Sequence, residues 1–131
     1  MSAFKDGQEA GEILSGFFRQ ESAEDDHIFA GSGFIVAYTL QDPDVRIVLD
    51  ATNPPQPGRA YDVYVNDPAA PQPKVDILMS ADDFDKLYKG ELQAMALIMS
   101  GKAKAKGDVT AAMRLVPAMA RAIPRYKKYR E

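Results

Sequence analysis

His27 is the single histidine of the 131-residue chain, and there is no cysteine. A Ser-His-Asp or Cys-His nucleophile would have to be built on that one imidazole. Disulfides and zinc-thiolate sites lack their ligands, and two histidines for the usual zinc sites cannot be assembled. His27 follows Asp25 and Asp26, and reads as a loop histidine in an acidic connector. Two carboxylate groups could be offered as metal ligands or as an acid-base pair: Asp25 with Asp26, and Asp82 with Asp83 and Asp85. Solvation accounts for the first group, and the capping and dipole of a helix starting near Ser80 account for the second. Gly31-Ser-Gly33 leads into a strand pattern, whereas phosphate-cradling glycine loops lead into a helix. These residues point to no catalytic constellation, no metal site and no cofactor.

Charge is unevenly spread. Residues 1–100 carry 7 Lys+Arg against 17 Asp+Glu, and residues 101–131 carry 9 against 2. A basic C-terminal quarter on an acidic body suits an anionic headgroup, a transient contact with an anionic membrane surface, or an acidic partner. A solvated basic end is the plainer alternative. Nucleic acid is not expected, because the acidic body would repel the backbone around any basic footprint.

The length fits one domain over 1–131, and the 46% hydrophobic, 27% charged composition is that of an ordinary globular protein. Apolar runs fall well short of the roughly 20 residues of a membrane span. The N-terminus lacks a basic region followed by an apolar stretch, and Tyr129-Arg130-Glu131 is not a Ser-Lys-Leu peroxisomal address, so the expected location is the cytoplasm.

The positioning elements follow from periodicity. Residues 8–20 predict an amphipathic helix with Ile13, Leu14, Phe17 and Phe18 on one face, weakened by Gly11 and Gly16 at about 1 kcal/mol each. Residues 33–40 and 45–51 predict a hairpin around Gln41-Asp-Pro-Asp44. Strands are expected at 61–66 and 74–79, separated by proline-rich loops at 52–59 and 67–73. Ser80-Ala-Asp-Asp83 is a capping box opening a helix with Phe84, Leu87 and Tyr88 inward and Gly90 as its stop. A short helix then carries Met95, Ile98 and Met99 inward, and Lys102-Ala-Lys-Ala-Lys106 alternates as a fifth strand with lysines outward. Gly107-Asp108 opens a last helix through Ala112, Met113 and Val116. Pro117 is expected to kink or break it, with a further short turn through Met119 before Pro124. This order predicts an α+β fold: a five-stranded, antiparallel-dominated sheet with helices on one face.

Four motifs in order carry a resemblance: Val75-Asp76-Ile-Leu-Met-Ser80; Asp83-Phe84 through Gly90; Met99-Ser-Gly101-Lys102-Ala-Lys-Ala-Lys106-Gly107-Asp108; and Ala112-Met113-Arg-Leu115. Together they resemble the sterol-carrier-protein type-two family over about forty residues, while the first half agrees in element order only. The resemblance implies an apolar tunnel between sheet and helices that accepts sterols, fatty acids, acyl-CoAs or phospholipids, and no catalytic residues.

The apolar inventory fits that implication. All five internal methionines, Met79, Met95, Met99, Met113 and Met119, fall in the second half. Methionine adapts to varied apolar ligands, although plain core packing uses it equally. The expected tunnel wall is Phe17, Phe18, Phe84, Leu87, Met95, Ile98, Met99, Met113, Val116 and Met119. Arg121, Arg125, Lys127 or Lys128 would meet an anionic headgroup. Burying about sixteen acyl carbons at ~0.8 kcal/mol per CH₂ gives over ~10 kcal/mol gross, which leaves micromolar binding after ordering costs. The expected role is therefore a lipid carrier rather than an enzyme. An accessory subunit of a lipid-metabolising enzyme is the alternative.

Overall fold

The computed structural model describes residues 3–29, 33–53, 56–57 and 59–131. Gly31-Ser32 and part of the first proline-rich loop lie outside the described residues. Helix α1, Gly7–Glu21, opens at Asp6, whose carboxylate accepts the Glu9 N–H at 2.8 Å. Strands β1 (Ile35–Gln41), β2 (Val45–Asp50), β3 (Asp62–Val65), β4 (Val75–Ser80) and β5 (Lys104–Gly107) form one sheet in the order β3-β2-β1-β4-β5. β4 runs parallel to β1, and the other neighbouring pairs are antiparallel. The sheet is thus mixed as well as antiparallel-dominated. After the β2–β3 excursion the chain returns to the far side of β1 in the same direction.

Alternation along the strands sends Val36, Tyr38, Leu40, Val45, Ile47, Leu49, Val75 and Met79 into one core. Thr39, Arg46 and Asp76 share the opposite face, where the Thr39 hydroxyl donates to Asp76 at 2.8 Å and Arg46 pairs with Asp76 at 3.6 Å. The helices cover the core face. Helix α2, Ala81–Tyr88, is capped by the Ser80 hydroxyl, which accepts the Asp83 N–H at 3.0 Å as the capping box requires. Helix α3 is Ala94–Met99, and α4 is Val109–Tyr129, opened by the Asp108 carboxylate accepting from the Ala111 N–H at 3.1 Å.

The expected break at Pro117 does not occur: α4 runs 21 residues without interruption, with Pro117 and Pro124 inside it. Both prolines are exposed, so the carbonyls they leave without a donor, at Met113 and Ala120, sit on the solvent side within reach of water. The opposite stripe, Ala111, Ala112, Leu115, Ala118, Met119, Ala122 and Tyr126, is buried along the whole length. That continuous apolar face outweighs the ~3 kcal/mol a mid-helix proline costs. Gly16 also takes on a packing role. A Cβ there would stand 2.5 Å from the Tyr129 hydroxyl oxygen, so glycine lets the end of α4 close on α1, where Tyr129 donates to the Ile13 carbonyl at 2.7 Å.

Two buried carboxylates fasten the second half of α4. Asp85, expected to serve the dipole of α2, is instead 3% exposed and enclosed by partners. The Tyr126 hydroxyl donates to it at 2.5 Å, with Lys89 at 2.8 Å and Arg130 at 3.2 Å. Burial, then the Asp85 hydrogen bond and charge, push the Tyr126 hydroxyl up, so it stays a donor. Glu21, at the end of α1, accepts the Ile28 N–H at 3.1 Å and the Tyr61 hydroxyl at 2.7 Å, and pairs with Arg125 at 3.3 Å. Arg125 also pairs with Asp26, while Arg121 donates to the Asp26 and His27 carbonyls at 2.9 and 3.1 Å. His27 lies in this connector, as expected, and its Nδ1 accepts the Phe29 N–H at 3.1 Å.

Burial pushes Glu21 from 4.5 up to about 7, against the opposing pull of Ile28, Tyr61 and Arg125. Its proton is therefore held more tightly in the fold than in the unfolded chain. The stabilisation is complete below about pH 4.5 and is lost as pH rises through about 7. The unfolding free energy followed from pH 4.5 upward should fall by up to about 3 kcal/mol from this group. Glu21→Gln should flatten that fall, and an unchanged slope in the variant would contradict the assignment.

Candidate ligand-binding site

Between the sheet and the helices, on the β5 side, lies an apolar cavity of about 40 Å³. Its floor is Tyr38 of β1, Ile77 and Met79 of β4, and the Ala103–Lys104–Ala105 start of the edge strand. Leu87 closes it from α2, while Ala94, Leu97 and Ile98 cover it from α3 and Ala112, Leu115, Val116 and Met119 from α4. The space follows from side-chain size: Ala94, Ala103, Ala105 and Ala112 stop short where Leu or Ile would meet.

No charge stands inside. The Tyr38 and Tyr88 hydroxyls share a hydrogen bond of 2.9 Å. Burial pushes Tyr38 up to about 12 and Tyr88 well above its ordinary value, so both stay neutral. Lys104, exposed on the edge strand, is the one basic residue of the wall. Chemically the cavity offers dispersion contacts and no nucleophile or general base.

About 40 Å³ exceeds the ~10–15 Å³ a water needs but falls far below the ~300 Å³ at which ligand pockets begin. A longer ligand requires a wall to move. The weakest wall is α3: six residues, no side-chain cap at Gln93, and Leu97 as its buried residue. Gly90 and Gly101, both at φ +79°, bracket it in the left-handed conformation that glycine adopts without strain.

The residues expected to form a tunnel wall divide into three groups. Leu87, Ile98, Val116 and Met119 meet around the cavity. Phe17, Phe18 and Phe84 do not line it. They pack into a solid aromatic cluster with Tyr38, Tyr88 and Tyr126, at ring separations such as 4.9 Å for Phe17–Tyr126 and 4.6 Å for Phe84–Tyr88. Met95, Ile98 and Met99 were expected inward, yet Met95 is 43% and Met99 83% exposed, and Met113 on α4 is exposed too. The correction has a geometric cause. Helix α3 is apolar all round, so periodicity carries no face, and Leu97 takes the inward position.

Among the cations, Arg121 and Arg125 spend their donors on the 22–29 connector and Glu21. Lys127 and Lys128 are exposed in the last turn of α4, and none of the four lines the cavity. Arg125 and Lys128 instead border a polar surface cleft with Glu21, Glu24 and Tyr129. The wall residues missed from the sequence are Tyr38, Ile77, Met79, Ala94, Leu97, Ala103, Ala105, Ala112 and Leu115. Alternation along 74–79 and 102–106 marks the strand members as inward, but nothing in the pattern marks the alanines as the edge of a space.

Among solved structures, sterol carrier protein 2 from Yarrowia lipolytica in its apo form is similar at 20% identity, covering 88% of this chain and 91% of that one, with a TM-score of 0.63. The sterol carrier protein domain 2 of Helicoverpa armigera is similar at 19%, covering 87% and 90%, with a TM-score of 0.65. The ubiquinone synthesis protein UbiJ-SCP2 is similar at 15%, covering 86% and 94%, with a TM-score of 0.60. At such identities these likenesses establish the fold. No curated protein sequence matches the chain significantly. The model of the SCP-2 sterol transfer family matches residues 14–120, which spans β1 to β5, the whole cavity wall and most of α4. With that match added to a five-stranded sheet covered by helices over an apolar cavity, the chain belongs to the SCP-2 sterol transfer family.

Proposed function

We propose that this chain, read as one domain over 1–131, binds a single apolar lipid-like molecule non-covalently beneath α3 and carries it without chemical change. The observation that carries this reading is the uncharged cavity with one weakly anchored wall. A fatty acid, acyl-CoA, sterol or phospholipid chain would displace α3 and enter among Leu87, Leu115, Val116 and Met119. An anionic headgroup would then meet Lys104 at the rim rather than Arg121 or Arg125, whose donors are engaged elsewhere. Membership of a sterol transfer family supports binding and transfer of a lipid in general. A second reading, an accessory subunit of a lipid-metabolising enzyme, draws on the fold shared with the ubiquinone synthesis protein UbiJ-SCP2.

The delipidated chain should take up a fluorescent fatty acid about one to one with micromolar affinity, read by fluorescence titration. No binding of any apolar probe by the isolated chain contradicts the carrier reading. Uptake that appears only in the presence of an enzyme partner supports the second.

Ala112→Leu tests the location. Ala112 is buried and lines the cavity, so the larger side chain fills the space the ligand would use. Probe affinity should drop by on the order of tenfold while overpacking costs about 1–3 kcal/mol at most. A folded variant that binds the probe as well as wild type places the ligand elsewhere.

A further inference from the structure

Tyr38 stands where the two parts of the helical layer meet. On one side its ring packs against Phe18 at 6.1 Å, Phe84 at 5.0 Å and Tyr88 at 6.3 Å, within the aromatic cluster. On the other side it lines the apolar cavity. The strand register puts Tyr38 of β1, Ile77 of β4 and Ala105 of β5 in one row across the sheet, and all three line that cavity. The row ends at the edge strand, so Tyr38 marks the inner end of the space. Among the described residues of the wall, Tyr38 and Lys104 are the two with polar side chains. Lys104 is exposed on the edge strand, whereas Tyr38 is 1% exposed.

Two phenol hydroxyls carry two protons. The Tyr38–Tyr88 contact of 2.9 Å uses one of them, and neither hydroxyl makes another hydrogen bond among the described residues. One proton of the pair is therefore left without an acceptor in the protein. Tyr88 lies behind the wall, so the productive arrangement has Tyr88 donating to Tyr38 and the Tyr38 proton turned to the cavity. A hydroxyl that accepts one hydrogen bond becomes a stronger donor of the next. A ligand that fills the inner end shuts out water, and it either supplies an acceptor or leaves a buried donor unpaired. That acceptor is uncharged. No cation stands in the wall inside Lys104, and a carboxylate moved into an apolar space without one is strongly disfavoured.

We infer that Tyr38 is a polar subsite at the inner end of the cavity, donating to an uncharged oxygen (an alcohol, ketone or ester) at the leading end of an otherwise apolar ligand. Tyr88 is a positioning residue that holds the Tyr38 hydroxyl and polarises it. A lipid with such an oxygen enters oxygen first. A fatty acid enters methyl first, with its carboxylate at the rim and the Tyr38 proton unpaired. The inference rests on the carrier reading and deepens it, because it selects among apolar chains by the chemistry of the buried end.

A sixteen-carbon methyl ketone and palmitate, added separately to the delipidated full-length chain, would be compared by displacement of a fluorescent fatty-acid probe. Tyr38→Phe should weaken the ketone by on the order of tenfold and tighten palmitate, whose methyl end no longer meets an unpaired hydroxyl. Tyr88→Phe should weaken the ketone less. Isotope-edited infrared spectra of the bound ketone give a readout that lost stability does not imitate. The carbonyl stretch should lie below its frequency in alkane in the wild type, return to that frequency in Tyr38→Phe, and stay lowered in Tyr88→Phe. A bound ketone at the alkane frequency in the wild type overturns the subsite whether or not the variants fold, and leaves the carrier reading standing. Equal losses of both ligands in Tyr38→Phe, or a lowered stretch that survives that substitution, overturn it as well. Displacement by neither ligand removes the carrier reading, and the subsite with it.

Discussion

Asp85 is a carboxylate almost wholly withdrawn from water, and an unpaired charge there would cost several kcal/mol. It is held by Tyr126 of α4, by Arg130 just past the end of α4 and by Lys89 just beyond α2, so its satisfaction requires α4 to lie across α2 in one register. Glu21 ties α1 to the same part of α4 through Arg125, 3.3 Å away. The two carboxylates fix the second half of α4 from both sides, and Tyr129 reaching the Ile13 carbonyl closes the gap between them. Two prolines inside the helix are tolerated on that account. Their lost hydrogen bonds face solvent, while the buried face and the buried acids hold the helix together.

A consequence is that the two ends of the helical layer differ in kind. The α1–α2–α4 end is filled by interlocking aromatic rings and anchored by ion pairs. The β5 end is lined by alanines and covered by a six-residue helix with one buried leucine. Removing a leucine from its site exposes apolar surface worth about 1.5–3 kcal/mol. A few buried methylenes of a ligand chain, at ~0.8 kcal/mol each, offset that cost. Ligand-free closure and ligand-bound opening are therefore compatible with the same stable scaffold. In the proposed carrier role, the scaffold would hold the sheet and α4 still while α3 yields.

The sequence made most of the fold legible because the signals were local. The Ser80 cap, the Asp108 cap and the alternation of 102–106 each rest on residues that settle their own backbone. The site was less legible, for identifiable reasons. Phe17, Phe18 and Phe84 are apolar and inward, but inward does not distinguish a wall that meets ligand from one that meets other rings. In Ala94–Met99 every residue is apolar, so no moment exists to tell Leu97 from Met99. The charges of Arg121 and Arg125 were visible, but their partners, Glu21, Asp26 and the His27 carbonyl, lie about a hundred residues away in sequence. Asp85 followed the pattern of a helix start, and only the return of α4 encloses it.

The claim that an apolar chain enters beneath α3 is tested most directly by intermolecular nuclear Overhauser effects. Protein with labelled Leu, Ile and Met methyl groups would be saturated with an unlabelled fatty acid. Cross-peaks from the acyl methylenes to Leu87, Leu97, Leu115 and Met119 are the predicted result, because these methyls line the cavity and are buried from solvent. Cross-peaks confined to the exposed Met95, Met99 and Met113 methyls would contradict it, because the ligand would then lie on the surface rather than within the cavity.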